Sequence, residues 1–164
     1  MKRAKGMTMI ESMVYIVITA TITVFAVPSF VSMLDNNRTA SVAQVMNQHF
    51  EYARSEAIKR NQAVEICARV PGTSDCGTGG SWTSGWLIHT TNSLGQRVVL
   101  KAQPALAASS LVDLTMSSLQ FRSNGLLASG QTNILVSGAH CSSNGARQIT
   151  LTKVGFATTQ KVSC

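Results

Sequence analysis

The chain has 164 residues, of which 45% are hydrophobic and 13% charged, and its formal net charge at pH 7 is +7. This length allows one globular domain beside a membrane-type segment, and the hydrophobic content excludes a disordered chain. Without the basic residues of the first six positions the side chains sum to +4. A surplus of positive charge of this size, scattered along the chain, permits contact with DNA or another acidic partner but does not require it.

The amino terminus combines a basic leader with a long apolar stretch. The leader, residues 1–6, ends at Gly6, and the next 20 residues hold 14 apolar side chains and one charge, Glu11. An ionised group inside hydrocarbon costs about 2.5 to 3.5 kcal/mol, so it is kept mainly where a partner or a function offsets this cost. Because no Lys or Arg lies between Lys5 and Arg38, we expect another molecule to supply the cation that pairs with Glu11.

These residues resemble the class III signal of type IV prepilins and type II secretion pseudopilins: Gly6, a hydrophobic residue, Thr8, and then Glu11. The resemblance implies cleavage by prepilin peptidase between Gly6 and Met7 and N-methylation of Met7, whose new α-amino group is the cation for Glu11 of a neighbour. It also implies that the apolar segment is retained, first as an inner-membrane anchor and then as filament core. Pro28 matches the helix-kinking proline usual in pilins, whereas Met7 replaces the usual phenylalanine.

Two other interpretations of the amino terminus stay open. A secretory signal peptide would have the same basic start and a cleavage site after Ala26, so the mature chain would begin at Val27. Glu11 weighs against it because it interrupts the apolar run, and the apolar pattern continues beyond Ala26 to Leu34. A plain single-pass anchor is long enough, since about 20 apolar residues span a bilayer core, but it leaves Glu11 unexplained.

The helical pattern resumes after Pro28. One apolar stripe recurs at spacings of three and four, which is typical of an amphipathic helix. We therefore predict one helix from about Met9 to about Arg60, kinked near Pro28. Residues 7–34 are its membrane or filament-core part and residues 35–60 its amphipathic half, in which Glu56 can pair with Arg60. The stripe consists of Val42, Met46, Phe50, Ala53 and Ala57.

The apolar period changes to two from Asn61, so we expect residues 61–164 to form a β-rich domain. Many short apolar runs with turn residues between them predict an antiparallel sheet or sandwich. The fold class is therefore α+β, a type IV pilin-like fold in which a long kinked helix packs on an antiparallel β domain. The last three runs should form a meander. The predicted strands are 64–68, 86–88, 97–100, 114–121, 132–136, 148–152 and 156–162.

All four cysteines follow the apolar segment. In an exported domain an even number indicates disulfides rather than metal or redox chemistry. Of the three possible connectivities we favour Cys67 with Cys76, which closes a loop rich in glycine, proline and serine, and Cys141 with Cys164, which fixes the carboxyl terminus. A flat meander would separate the second pair by about 10 Å, beyond the limit of about 7 Å for a disulfide, so one terminus must curl inward.

The part of the chain after Pro28 narrows the resemblance to the GspH/FimT/FimU group of minor pilins. Its most specific segments are Ala-Arg-Ser-Glu-Ala-Ile at 53–58 and the Gly85-Trp86 pair, with Trp86 expected in the core and Trp82 over a loop. The resemblance implies a minor pilin that joins other minor and major pilins and primes assembly of a pilus used for twitching, adhesion or DNA uptake. The β domain would be periplasmic before assembly and at the cell surface afterwards.

Two alternative functions remain. A GspH-type pseudopilin of type II secretion shares this layout. FimT-type pilins bind DNA for natural transformation through Gly-Arg-x-Arg near the carboxyl terminus, and the corresponding residues here, 145–148, keep only the glycine. Arg147, Lys153 and Lys161 could still form a small basic patch, but three phosphate contacts predict weak, salt-sensitive binding.

No pattern in the chain predicts catalysis. His49, His89 and His140 lie in separate segments without metal-ligand spacing, and the sequence has no Gly-x-Ser-x-Gly elbow and no cluster of paired carboxylates. Each histidine is interpreted as a surface or strand residue. We therefore expect a protein that is not an enzyme and that holds no metal or cofactor.

Overall fold

The computed structural model describes residues 7–77, 82–106, 110–114, 116–139, 141 and 144–164. Gly6 and His140, both named above, lie outside these ranges. Within them are one long helix and a short 3-10 helix, Trp82–Ser84. The other elements are strands. In chain order they are α1 (Met9–Arg60), β1 (Val64–Ala68), β2 (Trp86–Thr91), β3 (Arg97–Gln103), β4 (Ser110–Asp113), β5 (Ser118–Phe121), β6 (Thr132–Gly138), β7 (Ala146–Leu151) and β8 (Ala157–Val162).

The chain divides into two compact units, Met1–Leu34 and Asp35–Cys164. In the first, α1 carries threonines within an apolar sequence. The hydroxyls of Thr19, Thr21 and Thr23 each donate to the carbonyl four residues earlier, at 2.8 Å. A hydroxyl that is satisfied within its own helix needs no water, so these side chains are compatible with a lipid or protein environment.

The second unit consists of the last part of α1 and two antiparallel sheets. The strand orders are β3-β2-β1-β5 and β4-β6-β7-β8. The predicted meander of the last three strands is confirmed, since β6, β7 and β8 are neighbours in that order. The α1 stripe and the inner faces of both sheets form one core. Its largest fully buried side chains are Met46, Phe50, Ile66, Trp82, Trp86, Ile88, Leu119, Phe121, Ile134, Ile149 and Leu151.

One predicted strand and the predicted place of one tryptophan were wrong in this unit. The run 114–121 is not one strand: Leu114 lies between β4 and β5, which belong to different sheets. The chain crosses from one sheet to the other here, yet the apolar residues on both sides of the crossing are buried, and this is why they appear as a single run. Trp82 does not cover a loop; it is fully buried, and its indole N–H donates to the carbonyl of Met116 at 3.0 Å.

The carboxyl-terminal end of α1 is fixed by local interactions. Asn61 adopts the left-handed conformation, with φ of 52°, and Gln62 donates its backbone N–H to the carbonyl of Ala57. Such a left-handed residue ends a helix and satisfies its last carbonyls. The predicted pair of Glu56 and Arg60 is present at 2.6 Å. The Arg60 hydrogen bond holds the pKa of Glu56 below its ordinary value.

Candidate assembly site

The amino-terminal unit exposes nearly all of its apolar side chains. Met9 is 84% and Phe25 73% exposed, and the other large apolar side chains of this unit are exposed as well. An 18-residue window of α1 has a mean hydropathy of 2.1, and none of it is buried within the structure. By length and composition this helix can cross a membrane. An apolar surface of this length requires lipid or other protein around it.

Glu11 is the only charged side chain of residues 7–34. It is exposed, and it forms a capping box with Thr8, the residue before the first turn of α1. Glu11 donates its backbone N–H to the Thr8 hydroxyl at 3.3 Å, and its carboxylate accepts the Thr8 backbone N–H at 3.5 Å. The Thr-x-x-Glu spacing is a helix-start pattern that our sequence analysis did not use.

The capping box reduces the free-energy cost of holding the ionised Glu11 carboxylate in apolar surroundings, but it does not neutralise the charge. The amino-terminal end of a helix carries a partial positive charge, which stabilises an acidic residue in the first turn. The accepted hydrogen bond is long and involves one oxygen, Oε2. The carboxylate therefore keeps acceptor sites for a cation from another molecule.

Pro28 lies inside α1. Proline has no backbone N–H, so the carbonyl of Val24, four residues earlier, has no helical donor. This is the local condition under which helices bend. A kink at Pro28 stays a prediction.

The four cysteines form the two pairs that the sequence analysis favoured. Cys67 is bonded to Cys76 with a Cα–Cα separation of 5.5 Å, and Cys141 to Cys164 with 6.0 Å. Cys141 lies in the connection between β6 and β7, and Cys164 lies two residues beyond the end of β8. Both cysteines are therefore outside the flat meander, where the chain can bring them together.

His89 packs against the first disulfide. Its Nε2 lies 3.2 Å from Cys76 Sγ and 3.7 Å from a carboxylate oxygen of Glu65. Cys67, Cys76 and His89 are the only group among the described residues whose atoms are close enough to share a metal. Metals bind thiolates, and the sulfurs of a disulfide are not thiolates, so this cluster is a packing arrangement. Burial lowers the pKa of His89.

His49 is a buried residue that the sequence interpretation missed. It lies on α1 and accepts a hydrogen bond at Nδ1 from the indole N–H of Trp86, at 2.8 Å. Burial, and secondarily the positive charge of Lys101, lower its pKa to about 4. Its spacing of three from Met46 puts it beside the apolar stripe, and this was the available signal.

The three basic residues considered for DNA binding do not lie together. Arg147 and Lys161 are direct partners across β7 and β8. Lys153 lies in the turn at the far end of β7, six residues from Arg147. At a rise of about 3.3 Å per residue this is roughly 20 Å away.

The chain is similar in sequence to a known family over most of its length. The family described as type II transport protein GspH matches residues 42–155. The chain belongs to the GspH family. No curated protein sequence matches significantly.

Two solved structures share the fold of this GspH-family chain. The type IV minor pilin FimU of Pseudomonas aeruginosa superposes with a TM-score of 0.61 at 22% identity, over 78% of this chain and 92% of that one. The minor pseudopilin EpsH of the Vibrio cholerae type 2 secretion system superposes with a TM-score of 0.55 at 13% identity, over 77% and 97%. These identities show the fold, and together with the family match they confirm a minor pilin of the GspH/FimT/FimU type. The family and these relatives consist of structural pilin proteins rather than enzymes.

Proposed function

We propose that this protein is a minor type IV pilin that joins other minor pilins to prime pilus assembly. The observation that carries the proposal is a single carboxylate, Glu11, at the start of an exposed apolar helix that leads into a GspH-family domain. The binding energy comes from burying the apolar side chains of this helix beside those of neighbouring subunits. Glu11 then aligns the neighbours through a charge pair that is strong in a dry environment.

The cation in this pair is the amino terminus created by processing. Prepilin peptidase cleaves between Gly6 and Met7, and Met7 becomes N-methylated. The leader, which holds three basic side chains, is removed, and the remaining chain has no Lys or Arg before Arg38, so in the fibre Glu11 pairs with the α-amino group of Met7 from a neighbouring subunit. Until assembly the chain is anchored in the inner membrane with its β domain in the periplasm. The assembled pilus presents it at the cell surface.

The first experiment is the intact mass and amino-terminal residue of the protein isolated from membranes of its host. A chain that begins at N-methyl-Met7 is the expected result. A chain that begins at Val27 would identify an ordinary secreted protein, and the assembly proposal would be abandoned.

The second experiment replaces Glu11 with glutamine in the host. The variant should be processed and inserted normally but should yield at least about tenfold fewer surface fibres, because the neutral amide pairs poorly with an amine. Glu51→Gln, the same change at an exposed position of α1, is the matched control. Normal fibres together with a loss of protein secretion would assign the chain to a type II secretion pseudopilus instead.

DNA binding is the second candidate function, favoured by the adjacency of Arg147 and Lys161 across two strands. Like charges directly opposite each other are unfavourable unless an anion lies between them. Replacing both residues with glutamate should reduce DNA uptake and leave fibre number unchanged if this candidate is correct. Lys101→Glu, at an exposed position of β3 in the other sheet, is the control. Equal uptake by the double variant and the wild type would reject DNA binding at this position.

A further inference from the structure

Among the described residues of the carboxyl-terminal unit seven large apolar side chains are exposed, and three of them lie on one surface. Ile58, Val154 and Phe156 are 50%, 48% and 57% exposed. Ile58 lies near the end of α1, and the other two lie in the turn between β7 and β8. All three are outside the core cluster. Together with Arg54 we call them the Phe156 patch.

Contacts through two glycines and through the Arg54 side chain join the residues of the Phe156 patch into one surface. Ile58 lies against Gly125, where an added Cβ would be 2.7 Å from the Ile58 Cδ1. Gly155 lies against both Gly125 and Arg54, because a Cβ there would be 2.7 Å from the Gly125 carbonyl oxygen and 2.8 Å from the Arg54 Cδ. The guanidinium carbon of Arg54 lies 4.3 Å from the centroid of the Phe156 ring. The turn at residues 122–126, which contains Gly125, the turn between β7 and β8, and α1 therefore present one surface.

The same contacts hold the Phe156 patch in place. Gly125 and Gly155 have φ of +77° and +81°, a conformation that residues with a side chain rarely adopt. Arg54 donates from Nε to the carbonyl of Gly125 at 3.3 Å. Its guanidinium is thereby fixed over the ring of Phe156. An aromatic side chain that is ordered before binding loses little conformational freedom when a partner covers it.

The charge around the Phe156 patch is predominantly positive. Arg122 and Lys153 lie in the two turns whose glycines contact α1, and both are exposed. Among the described residues no ion pair joins Arg54, Arg122 or Lys153 to a carboxylate. Glu51, one turn before Arg54 on α1, is the exposed carboxylate nearest along the helix. Arg54 therefore lies within the Phe156 patch, and two further cations lie in the turns that form it.

We propose that the Phe156 patch docks a neighbouring subunit of the pilin type, at a surface where an acidic side chain lies beside an apolar one. Phe156 and Ile58 would be covered by the apolar group, and Arg54 would pair with the carboxylate. This inference rests on the proposed function and deepens it by naming the contact of the β domain. Interfaces of this kind depend on a few aromatic and arginine residues at their centre.

A second copy of this chain is a poor occupant. A symmetric dimer through the patch would place Arg54, Arg122 and Lys153 of one copy against the same residues of the other, and like charges across an interface cost free energy. A bilayer surface is also a poor occupant. The patch lies at the end of this unit opposite to Asp35, where the chain enters it, roughly 35 Å along α1.

The test is site-specific crosslinking in the host with the full-length chain. A photo-crosslinking phenylalanine analogue replaces Phe156, and a control chain carries it at Leu94. Leu94 is 79% exposed and occupies the place in the turn between β2 and β3 that Val154 occupies in the turn between β7 and β8. The expected adduct joins position 156 to a peptide of another pilin-type subunit that contains Asp or Glu. An adduct with this chain itself or with lipid, no adduct, or equal adducts at both positions would overturn the proposal.

Two substitutions test the chemistry of the Phe156 patch. Phe156→Ala with Ile58→Ala should lower incorporation into fibres at least about tenfold, whereas Leu94→Ala should not. Arg54→Glu should lower the yield of the adduct formed at position 156 by a similar factor. Replacing the acidic residue of the crosslinked peptide with arginine should restore that yield. Unchanged incorporation by the first variant, or no restoration in the second, would reject the patch as a docking site.

The Glu11→Gln variant separates this inference from the proposed function. If Glu11→Gln assembles normally, the chain does not assemble as a pilin and both ideas fail. If Glu11→Gln blocks assembly while the Phe156 and Ile58 variant assembles like the wild type, only the docking site fails. The intrinsic tryptophan fluorescence of each variant checks folding, because Trp82 and Trp86 both lie in the core.

Discussion

His49 shows how one side chain connects α1 to the sheet. It is buried on α1 and accepts the indole N–H of Trp86, so the ring is neutral at Nδ1 and carries its proton at Nε2. A buried indole donor without a partner would cost about 1 to 3 kcal/mol. The histidine therefore satisfies Trp86 at a point where an apolar residue could not.

This arrangement predicts a pH dependence of stability. Burial lowers the pKa of His49 from 6.5 to about 4, so between these values the unfolded chain binds a proton that the folded chain does not. The free energy of unfolding should fall as pH drops through this window, by at most about 1.4 kcal/mol per pH unit. His49→Gln keeps an acceptor for Trp86 and does not titrate. Urea denaturation in detergent, followed by tryptophan fluorescence, should show a shallower pH dependence for this variant.

His89 does not obscure the comparison, because it is present in both proteins and burial lowers its pKa in both. The difference between the two pH profiles reports His49. Identical slopes between pH 7 and pH 4 would contradict the assigned protonation state.

Gly155 provides a second prediction at the residue scale. Gly155→Ala should destabilise the fold by more than Gly95→Ala, although the two glycines have φ of +81° and +75°. The left-handed conformation costs about 1 to 2 kcal/mol for alanine at either position. An added Cβ at Gly155 also meets the backbone carbonyl of Gly125 at 2.7 Å, whereas nothing lies within 4 Å at Gly95. Equal losses in thermal unfolding would show that the turn can move away from α1.

At the scale of elements, three turns of the β domain share one hydrogen-bond pattern. They span residues 92–96, 122–126 and 152–156, and in each the fourth residue is a glycine that donates to the carbonyl of the first. The sequence alone makes them equivalent. Only the structure distinguishes them: Gly125 and Gly155 lie against α1, and Gly95 has open space beside it.

The two disulfides are elements whose removal can be compared. The bridged residues are 9 and 23 positions apart, for which loop entropy predicts losses of about 2.6 and about 3.4 kcal/mol. Cys141→Ala with Cys164→Ala should therefore destabilise the domain more than Cys67→Ala with Cys76→Ala. Chemical denaturation with a tryptophan fluorescence readout measures both. A larger loss for the first bridge would mean that its packing against His89, rather than loop closure, dominates.

At the scale of the whole molecule, the two units differ in where their stability arises. Every buried apolar residue of the described chain lies at or after Ala43. The amino-terminal unit exposes its apolar side chains and depends on surroundings that other molecules provide. The carboxyl-terminal unit holds its own core, both disulfides and the Phe156 patch.

This division predicts that residues 35–164 fold without the amino-terminal unit. Deleting residues 1–34 removes none of the buried apolar side chains, so the fragment should be soluble without detergent. Its tryptophan emission and its midpoint of unfolding should match those of the full-length chain in detergent within a few degrees. A fragment that melts much earlier, or one that aggregates, would show that residues before Asp35 stabilise the domain.

The sequence by itself determined the helix, most strands, the meander and the favoured cysteine pairs, because each depends on periodicity, turn residues or spacing along the chain. Glu11 was also evident, since a lone charge in an apolar run is a local feature. The tertiary structure alone decided which sheet β4 and β5 join, the burial of Trp82, the hydrogen bond between Trp86 and His49, and the separation of Lys153 from Arg147. It also brought Arg54, Ile58 and Phe156 together. These features depend on contacts between residues far apart in sequence, and no local pattern encodes such contacts.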